Sequence, residues 1–327
     1  MRTIILSTLI ATALFFAGCT TPKIRLFPSQ ADPLKEYTLA GKADQKILVI
    51  PIRGIISDDP HEGVVRTKPS LVQEVVSQLR LAEEDKDVKA VLLKIDSPGG
   101  SVTASDVLYN EIIGFKKRTG AKVVAAMMNV AASGGYYISL AADYIMAHPT
   151  TLTGSVGVIF LRPKVIDLMQ KLGLGVEVNK SGLNKDMGAP FRRTTAEENK
   201  MLQSMTDRLG TRFIDLVAKH RKLDPAAMAE ISTARVYLAN DALGLGMVDA
   251  VGYLDQALAK AKKLADLPED AKVVVYRRTE YPDDNIYNTS IRYGGGDLSV
   301  ISLKFPEAFN QLHTGFYYMW SAAAMGE

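Results

Sequence analysis

Apolar runs bounded by charged or turn residues recur along the middle of the chain and predict buried strands. These runs cover residues 46–52, 88–95, 122–128, 144–147, 175–179, 234–237 and 272–277. Apolar positions three and four residues apart lie between many of them and predict helices. These helices cover residues 71–81, 105–117, 165–172, 196–220 and 254–264. Strands that alternate with helices are typical of an α/β fold with a largely parallel sheet.

Local signals indicate where some of these elements begin. Thr195 and Glu198 have the spacing of a capping box, so we expect the long helix to start after Thr195. Pro51 has no backbone N–H, which indicates that the first strand borders an edge or an exit of the sheet. Residues 45–277 are expected to form a single domain.

The first 18 residues predict a signal peptide. Residues 1–3 carry a positive charge, and the apolar run 4–17 is too short to span a bilayer comfortably. The run ends in Phe16-Ala17-Gly18-Cys19, which resembles a bacterial lipobox, although Phe16 replaces the usual leucine. The alternative is a chance cysteine after an ordinary signal. We favour lipidation of Cys19, with residues 19–44 as a polar, proline-containing tether.

Composition and charge exclude several classes of protein. The 327 residues are 47% hydrophobic with a net charge of +3, and no basic run is interleaved with aromatic residues, so nucleic acid is not an expected partner. The single cysteine excludes an intrachain disulfide and a cysteine-based zinc site. The four histidines are scattered, so we expect neither a metal nor a cofactor.

The C-terminal residues 278–327 differ from the rest because they are rich in tyrosine and phenylalanine and hold the only tryptophan, Trp320. Two interpretations remain open for this aromatic tail. It is either a poorly ordered segment or a strand that packs on the core, or it contacts a membrane surface or another subunit.

Ser133 is the candidate nucleophile. It lies between a predicted buried strand and a predicted helix, and Gly134 and Gly135 follow it. A helix N-terminus offers free N–H groups that favour negative charge, and glycine allows close approach of the backbone. These are the parts of a nucleophile beside an oxyanion hole. The competing interpretation is a serine that caps the helix.

The identity of a general base is less clear from the residues alone. His148 and His220 lie in segments without specialised features, and Ser181 and Lys185 do not have the Ser-x-x-Lys spacing. A lysine base requires burial that lowers its pKa, so that a neutral amine can accept the serine proton. Lys185 lies in an irregular segment near apolar Met187 and Phe191, but the residues alone favour a solvated surface lysine.

A family resemblance distinguishes these alternatives. Four segments of the chain resemble, in order, those of the SppA-type signal peptide peptidases. They are Asp96-Ser-Pro-Gly-Gly-Ser101, Ala131-Ala-Ser-Gly-Gly-Tyr-Tyr137, Thr151-Leu-Thr-Gly-Ser-Val-Gly-Val158 and Ser181-Gly-Leu-Asn-Lys-Asp-Met-Gly188. The resemblance covers roughly residues 46–277. It implies a Ser/Lys peptidase on a Clp/crotonase-like fold of repeated ββα units.

The resemblance also implies roles for individual residues. Ser133 is the expected nucleophile, Lys185 the general base and Ser155 the serine that orients the lysine. Gly100 and Gly134 are the expected oxyanion donors. Since this chain holds one repeat, it resembles the short form of the family, in which serine and lysine meet across a subunit boundary in a homo-oligomeric ring.

We therefore expect a membrane-attached, extracytoplasmic serine endopeptidase, anchored as a bacterial lipoprotein on the periplasmic side of a membrane. Its expected substrates are released signal peptides or similar apolar peptides. Two alternatives remain: a crotonase-like acyl-CoA enzyme on the same fold, and a lipoprotein scaffold without catalytic activity.

Overall fold

The computed structural model of the protein describes residues 32–62, 67–281, 284–288 and 314–324. The predicted signal peptide and the predicted lipidation site Cys19 lie outside these residues. Among the described helices, none combines the length and the apolar character that crossing a bilayer requires.

The strands and helices follow the predicted alternation. The strands are β1 (Lys35–Ala40), β2 (Lys46–Arg53), β3 (His61–Glu62), β4 (Thr67–Lys68), β5 (Val88–Ser97), β6 (Gly99–Ser101), β7 (Lys122–Ala132), β8 (Tyr144–Ala147), β9 (Leu152–Gly154), β10 (Ile159–Leu161), β11 (Val236–Leu238), β12 (Ala250–Val251), β13 (Lys272–Arg277) and β14 (Gly315–Met319). The described helices are α1 (Leu71–Glu84), α2 (Val102–Thr119), α3 (Gly134–Ser139), α4 (Ile166–Lys171), α5 (Ala196–His220), α6 (Pro225–Ile231), α7 (Ala239–Gly244), α8 (Leu254–Leu264) and α9 (Ser321–Ala324).

The main sheet has the strand order β1-β13-β2-β5-β7-β8-β12, and β9 extends it from the end of β7 with β11 paired alongside. The pairs β13–β2, β2–β5, β5–β7, β7–β8 and β8–β12 are all parallel. The predicted α/β fold with a largely parallel sheet is therefore confirmed. Because the carboxyl ends of parallel strands meet at one edge, the segments that follow β5 and β7 lie together there.

Hydrophobic cores cover both faces of this sheet. In β2, Leu48 and Ile50 point into the larger core with helices α1, α2 and α3, whereas Ile47 and Val49 point into a smaller core with α8. Successive side chains of a strand face opposite sides, so a strand buried on both faces needs an unbroken apolar run. This explains the runs that the sequence shows in β2, β5 and β7.

Two segments differ from the sequence-based expectation. Residues 35–40, assigned to the tether, form β1, which pairs antiparallel with β13 and packs Leu39 against the smaller core. Residues 175–179, expected as a strand, form none and are exposed. Their alternation of valine and polar residues suits a strand, but the fold brings no sheet edge beside them to supply hydrogen bonds.

A second, three-stranded sheet has the order β10-β14-β6. Its middle strand β14 comes from the aromatic tail and pairs antiparallel with both neighbours. Residues 315–319 of the tail therefore form a strand that packs on the core, which belongs to one of the two interpretations that the sequence left open.

Candidate active site

Ser133 occupies a strained turn between β7 and α3. Its backbone has φ 53° and ψ −113°, a conformation that residues with a side chain rarely adopt. The Ser133 N–H donates to the carbonyl of Gly154 at 2.7 Å, which holds the turn against the end of β9. The side chain makes no capping hydrogen bond to α3. Ser133 therefore occupies the N-cap position of α3, but its side chain does not cap the helix.

The Ser133 hydroxyl is buried and has no hydrogen-bond partner in the part of the chain that the structure describes. A buried hydroxyl without a partner costs about 1–3 kcal/mol, so such groups are rare unless they serve a purpose. Chemically, this hydroxyl is free to attack a group placed against it.

Gly100 and Gly134, the two predicted oxyanion donors, lie where no side chain fits. A Cβ on Gly100 would be 1.9 Å from the carbonyl oxygen of Ile56, to which Gly100 is bridged. A Cβ on Gly134 would be 2.5 Å from the Ser105 hydroxyl oxygen. Gly100 can pack this closely against the backbone of Ile56, and Gly134 against Ser105 of α2, only because these residues are glycines.

Strand β14 runs directly beside these glycines. Its Tyr318 is paired with Gly100 in the antiparallel register. The Tyr318 carbonyl oxygen and the Gly134 amide nitrogen border the same space, since a Cβ on Gly99 would lie 2.0 Å from the first and 2.7 Å from the second. An extended segment of the chain thus presents a peptide carbonyl to the backbone beside Ser133.

The Tyr318 side chain fills an aromatic pocket next to the site. Its ring lies 4.9 Å from the ring of Tyr137 and 4.8 Å from that of Phe213, measured between centroids. Its hydroxyl donates to the carbonyl of Leu209 at 3.0 Å, and burial raises the pKa of Tyr318 to about 12. The pocket therefore accepts a large apolar ring and satisfies one polar atom at its end.

Ser155, the predicted orienting serine, directly follows Gly154, whose carbonyl accepts the hydrogen bond from the Ser133 N–H. It too has a positive φ, 52°, and its N–H donates to the carbonyl of Arg235 at 2.7 Å. The structure thus brings Ser133, Gly134, Gly100 and Ser155 to one end of the sheet.

Lys185, the predicted base, is not part of this group within one chain. It lies on an exposed turn, and its side chain makes no hydrogen bond or ion pair with any described residue. Because no described residue is a hydrogen-bond partner of the Ser133 hydroxyl, Lys185 is beyond hydrogen-bond reach of it in the single chain.

The histidines do not replace Lys185. His148 is hydrogen-bonded to Thr150 at 2.9 Å, and His220 to the hydroxyl of Tyr109 at 2.6 Å. Burial lowers the pKa of His220, which favours its neutral form, but neither ring bonds to Ser133. Over the described parts of the chain, no three potential metal ligands cluster together.

Sequence reasoning left one feature of the site open and missed another. The first is β14, since a strand was only one interpretation of the aromatic tail, although Gly315-Phe-Tyr-Tyr-Met319 is a run of strong strand formers. The second is an ion cluster next to Lys185, formed by Lys180, Asp186, Arg192 and Glu198. From the sequence alone, charged residues this close together predict a solvent-exposed loop. No sequence pattern indicates that their side chains form a cluster.

Known proteins resemble the chain over most of its length. The model of peptidase family S49 matches residues 115–268, and the model of Clp protease matches residues 65–153. A protein of Enterococcus faecium provisionally named signal peptide peptidase SppA is 36% identical over 253 residues, which are 77% of this chain and 73% of that protein. The chain belongs to peptidase family S49.

Other relatives in family S49 are longer. Serine protease SPPA, chloroplastic, of Arabidopsis thaliana is 36% identical over 74% of this chain and 36% of its own length. Protease 4 of Haemophilus influenzae is 31% identical over 78% of this chain and 40% of its own length. The chain therefore spans less than half of each of these two proteins.

Membership of family S49 makes the protein a protease, and the match to the Clp protease model gives it a Clp-like fold. The residues that match the Clp protease model include β5, β6, β7 and α3. Ser133, Gly134 and Gly100 therefore lie in the Clp-like part of the fold.

Proposed function

We propose that this protein is a membrane-attached endopeptidase that cleaves released signal peptides or other apolar peptides with Ser133 as nucleophile and Lys185 as general base. The observation that carries the proposal is the position of β14. An extended apolar segment lies antiparallel to the Gly100 strand, with a carbonyl at the backbone of Gly134 and an aromatic ring in the adjoining pocket. A substrate in the same place would have its scissile carbonyl next to the free Ser133 hydroxyl.

The reaction proceeds as acyl transfer. Ser133 Oγ forms a bond to the scissile carbonyl carbon, and its proton passes to the neutral amine of Lys185. The peptide C–N bond then breaks, and Lys185 returns the proton to the leaving amine. Water repeats these steps on the acyl ester and releases the carboxylic acid. The N–H groups of Gly100 and Gly134 stabilise the oxyanion, at about 3–4 kcal/mol for each donor.

The base is supplied by a second copy of the chain in this proposal. The Lys185 side chain is exposed and bonds to no described residue of its own chain, while the buried Ser133 hydroxyl likewise bonds to none of them. Each group therefore lacks what the other supplies. A homo-oligomer that seats Lys185 of one copy near Ser133 and Ser155 of the next completes the site.

Attachment to the membrane follows from Cys19. Lipidation at Cys19 would place the folded domain on the periplasmic side of a membrane, close to signal peptides left after protein export. The name of the Enterococcus faecium relative, which mentions signal peptides, supports this class of substrate.

Activity of single variants on an apolar reporter peptide tests the catalytic roles. Ser133→Ala and Lys185→Ala should each lower kcat by about 10³-fold or more, because each removes a group that bonds to the reacting atoms or moves a proton. The exposed Lys117→Ala, at the end of α2, is the matched lysine control and should retain activity. Wild-type cleavage by either active-site variant would contradict the proposal.

Mixing the two inactive variants tests the shared site. Co-assembled Ser133→Ala and Lys185→Ala chains should regain part of the activity, since some boundaries then join an intact Ser133 to an intact Lys185. Thioester hydrolysis without peptide cleavage would favour the acyl-CoA alternative. Failure of a serine-directed probe to label Ser133 would favour the non-catalytic scaffold.

A further inference from the structure

The turn that carries Lys185 is held in place by its neighbour, Asp186. The guanidinium of Arg192 donates to both carboxylate oxygens of Asp186, at 2.8 Å from Nε and 2.9 Å from Nη2, and to its main-chain carbonyl at 3.0 Å. A two-pronged contact of this kind fixes orientation as well as distance. The backbone of Asp186 is thus fixed at the residue next to the proposed base.

Arg192 ties this turn to a long helix. Its Nη1 donates to Glu198 at 2.9 Å, and its Nη2 bonds to the other oxygen of the same carboxylate. Glu198 lies in the first turn of α5, is 3% exposed, and also accepts the Thr195 N–H at 2.9 Å in the capping box. These contacts therefore fix the position of the Lys185 turn relative to the start of α5.

Lys180 closes the cluster from the other side. Its Nζ donates to Asp186 at 2.8 Å and to the carbonyl of Leu183 at 2.9 Å. By contrast, Lys185 itself contributes only a backbone bond, from its N–H to the carbonyl of Gly182 at 3.1 Å. The side chain of the base is free to reach outward because its neighbours hold the turn.

The same contacts also set the charge next to Lys185. An unpaired carboxylate beside a lysine favours the protonated amine, which cannot act as a base. Here two cations compensate the charge of Asp186. The hydrogen bonds from Arg192 hold the pKa of Asp186 far below its usual range, and those to Glu198 lower its pKa to about 2. Both acids stay ionised and paired.

Other charges near the turn are Arg162, whose side chain borders Gly188 and donates to Asn199 at 3.1 Å, and those of the segment around α4. Lys164 donates to the carbonyls of Ala189 and Arg192, at 2.6 and 3.1 Å. Arg193 forms an exposed ion pair with Asp167 at 3.4 Å. Neither contacts the Asp186 carboxylate, so Arg192 and Lys180 are the cations that compensate it.

We infer that Arg192 is a positioning residue for catalysis: it fixes the turn that carries Lys185 and withholds the charge of Asp186 from that lysine. This inference rests on the proposed role of Lys185 as the base.

The test measures kcat and KM of the full-length assembled protein on an apolar reporter peptide between about pH 5 and pH 10. Arg192→Gln should lower kcat by about 10- to 100-fold with little change in KM, because the base is displaced. It should also move the midpoint of the ascending limb of the pH profile upward by about one pH unit, because Asp186 is no longer compensated. Arg193→Gln is the matched control and should match wild type.

Asp186→Asn separates the electrostatic role from the structural one. It breaks the same contact with Arg192, so kcat should fall, but it removes the negative charge, so the midpoint should not move upward. Arg192→Lys should bring the midpoint back toward wild type while kcat stays low, since one ammonium keeps the charge but not the fork. Loss of structure alone would give the same midpoint in all of these variants.

Two outcomes would overturn the inference: an Arg192→Gln midpoint equal to wild type, or a kcat equal to that of Arg193→Gln. If Arg192→Gln does not fold, Lys180→Gln takes its place, because it removes one cation from Asp186 and leaves the link to Glu198 intact; its midpoint should also rise. Lys185→Ala in the same assay separates the two hypotheses. Full activity of Lys185→Ala contradicts the proposed base itself, whereas its inactivity together with an unmoved Arg192→Gln midpoint contradicts only the role of Arg192.

Discussion

Ser133 carries two local costs that the surrounding fold has to offset. Its positive φ is unfavourable for a residue with a Cβ, and its hydroxyl is buried without a partner. The parallel pairing of β7 with β5 and β9 on its two sides leaves the chain no other path into α3. Strain of this kind at a turn is common where a side chain must be presented to a substrate.

Replacing Ser133 by glycine should therefore stabilise the protein while it abolishes peptide cleavage. Glycine adopts this backbone conformation freely and removes the unpaired hydroxyl, so we expect a gain of about 1 kcal/mol in the free energy of unfolding after the entropy of the glycine is subtracted. Urea denaturation of Ser133→Gly and Ser133→Ala measures it. Alanine keeps the strain, so Ser133→Ala should be the less stable of the two; the reverse order would argue against strain at this turn.

At the scale of elements, α5 shows how one side chain serves both folding and the site. Glu198 closes the capping box of this helix with Thr195 and also binds Arg192. The capping box was predictable, because its two residues are close in sequence and have a fixed spacing. The link to Arg192 was not, since the intervening residues have no regular structure that would fix their direction.

Glu198 should make stability depend on pH in the acid range. Because its pKa is lowered to about 2 in the folded state, the carboxylate stabilises the fold fully above its unfolded pKa of about 4.3, and this contribution is lost as the pH falls toward 2. Glu198→Gln should thus flatten the dependence of unfolding free energy on pH between about 4 and 2. Urea denaturation across this range checks it, with the exposed Glu197→Gln as control. Identical slopes in both variants would count against the ion pair.

Some elements were predictable to the residue. This holds for helix 254–264 and for strands 144–147 and 272–277, because each has a clear apolar pattern with charged residues or turns at both ends. Strand β1 was missed, and β14 was left as one of several interpretations of the tail, for the opposite reason. Each is short and gains its stability from a partner that lies far away in the sequence, β13 for the first and β6 with β10 for the second. Local pattern carries no information about such pairing.

At the scale of the molecule, the site is split between a buried half and an exposed half. The sequence resemblance implied the residues of both halves. Within one chain, the fold brings together only Ser133, Ser155, Gly100 and Gly134, and leaves Lys185 apart. Exposed apolar side chains precede Lys185 on its own segment, a feature unusual for a surface that meets only water. They are Leu168, Leu172, Leu174, Val176, Val178 and Leu183.

A charge on this apolar segment should separate the subunits and stop catalysis together. Leu172, which is 63% exposed, can be changed to glutamate without disturbing the core. Leu172→Glu should shift the protein toward monomers in sedimentation velocity and lower peptide cleavage in proportion. Leu243→Glu, on the exposed side of α7, is the control and should do neither. A monomeric but active Leu172→Glu protein would contradict the shared site.

Strand β14 should compete with substrates for the cleft it occupies. A chain ending at residue 313 loses this strand. Its kcat/KM for an apolar peptide should rise, because every molecule then has an open cleft. Its melting temperature should fall, since the space of the Tyr318 ring between Tyr137 and Phe213 is left empty, at a cost of about 3 kcal/mol. A chain ending at residue 324 keeps β14 and is the control; equal kcat/KM in both chains would disprove the competition.

Covalent attachment gives this competition an unusual property. A free product inhibitor is weakened by dilution, but a segment of the same chain is present at an effective concentration that dilution cannot change. The resident strand would then weaken the apparent affinity of every peptide by the same factor at any protein concentration, so that a weak apolar peptide would gain entry only when it is abundant. The strand would thus set how concentrated, or how tightly bound, a peptide must be to reach Ser133.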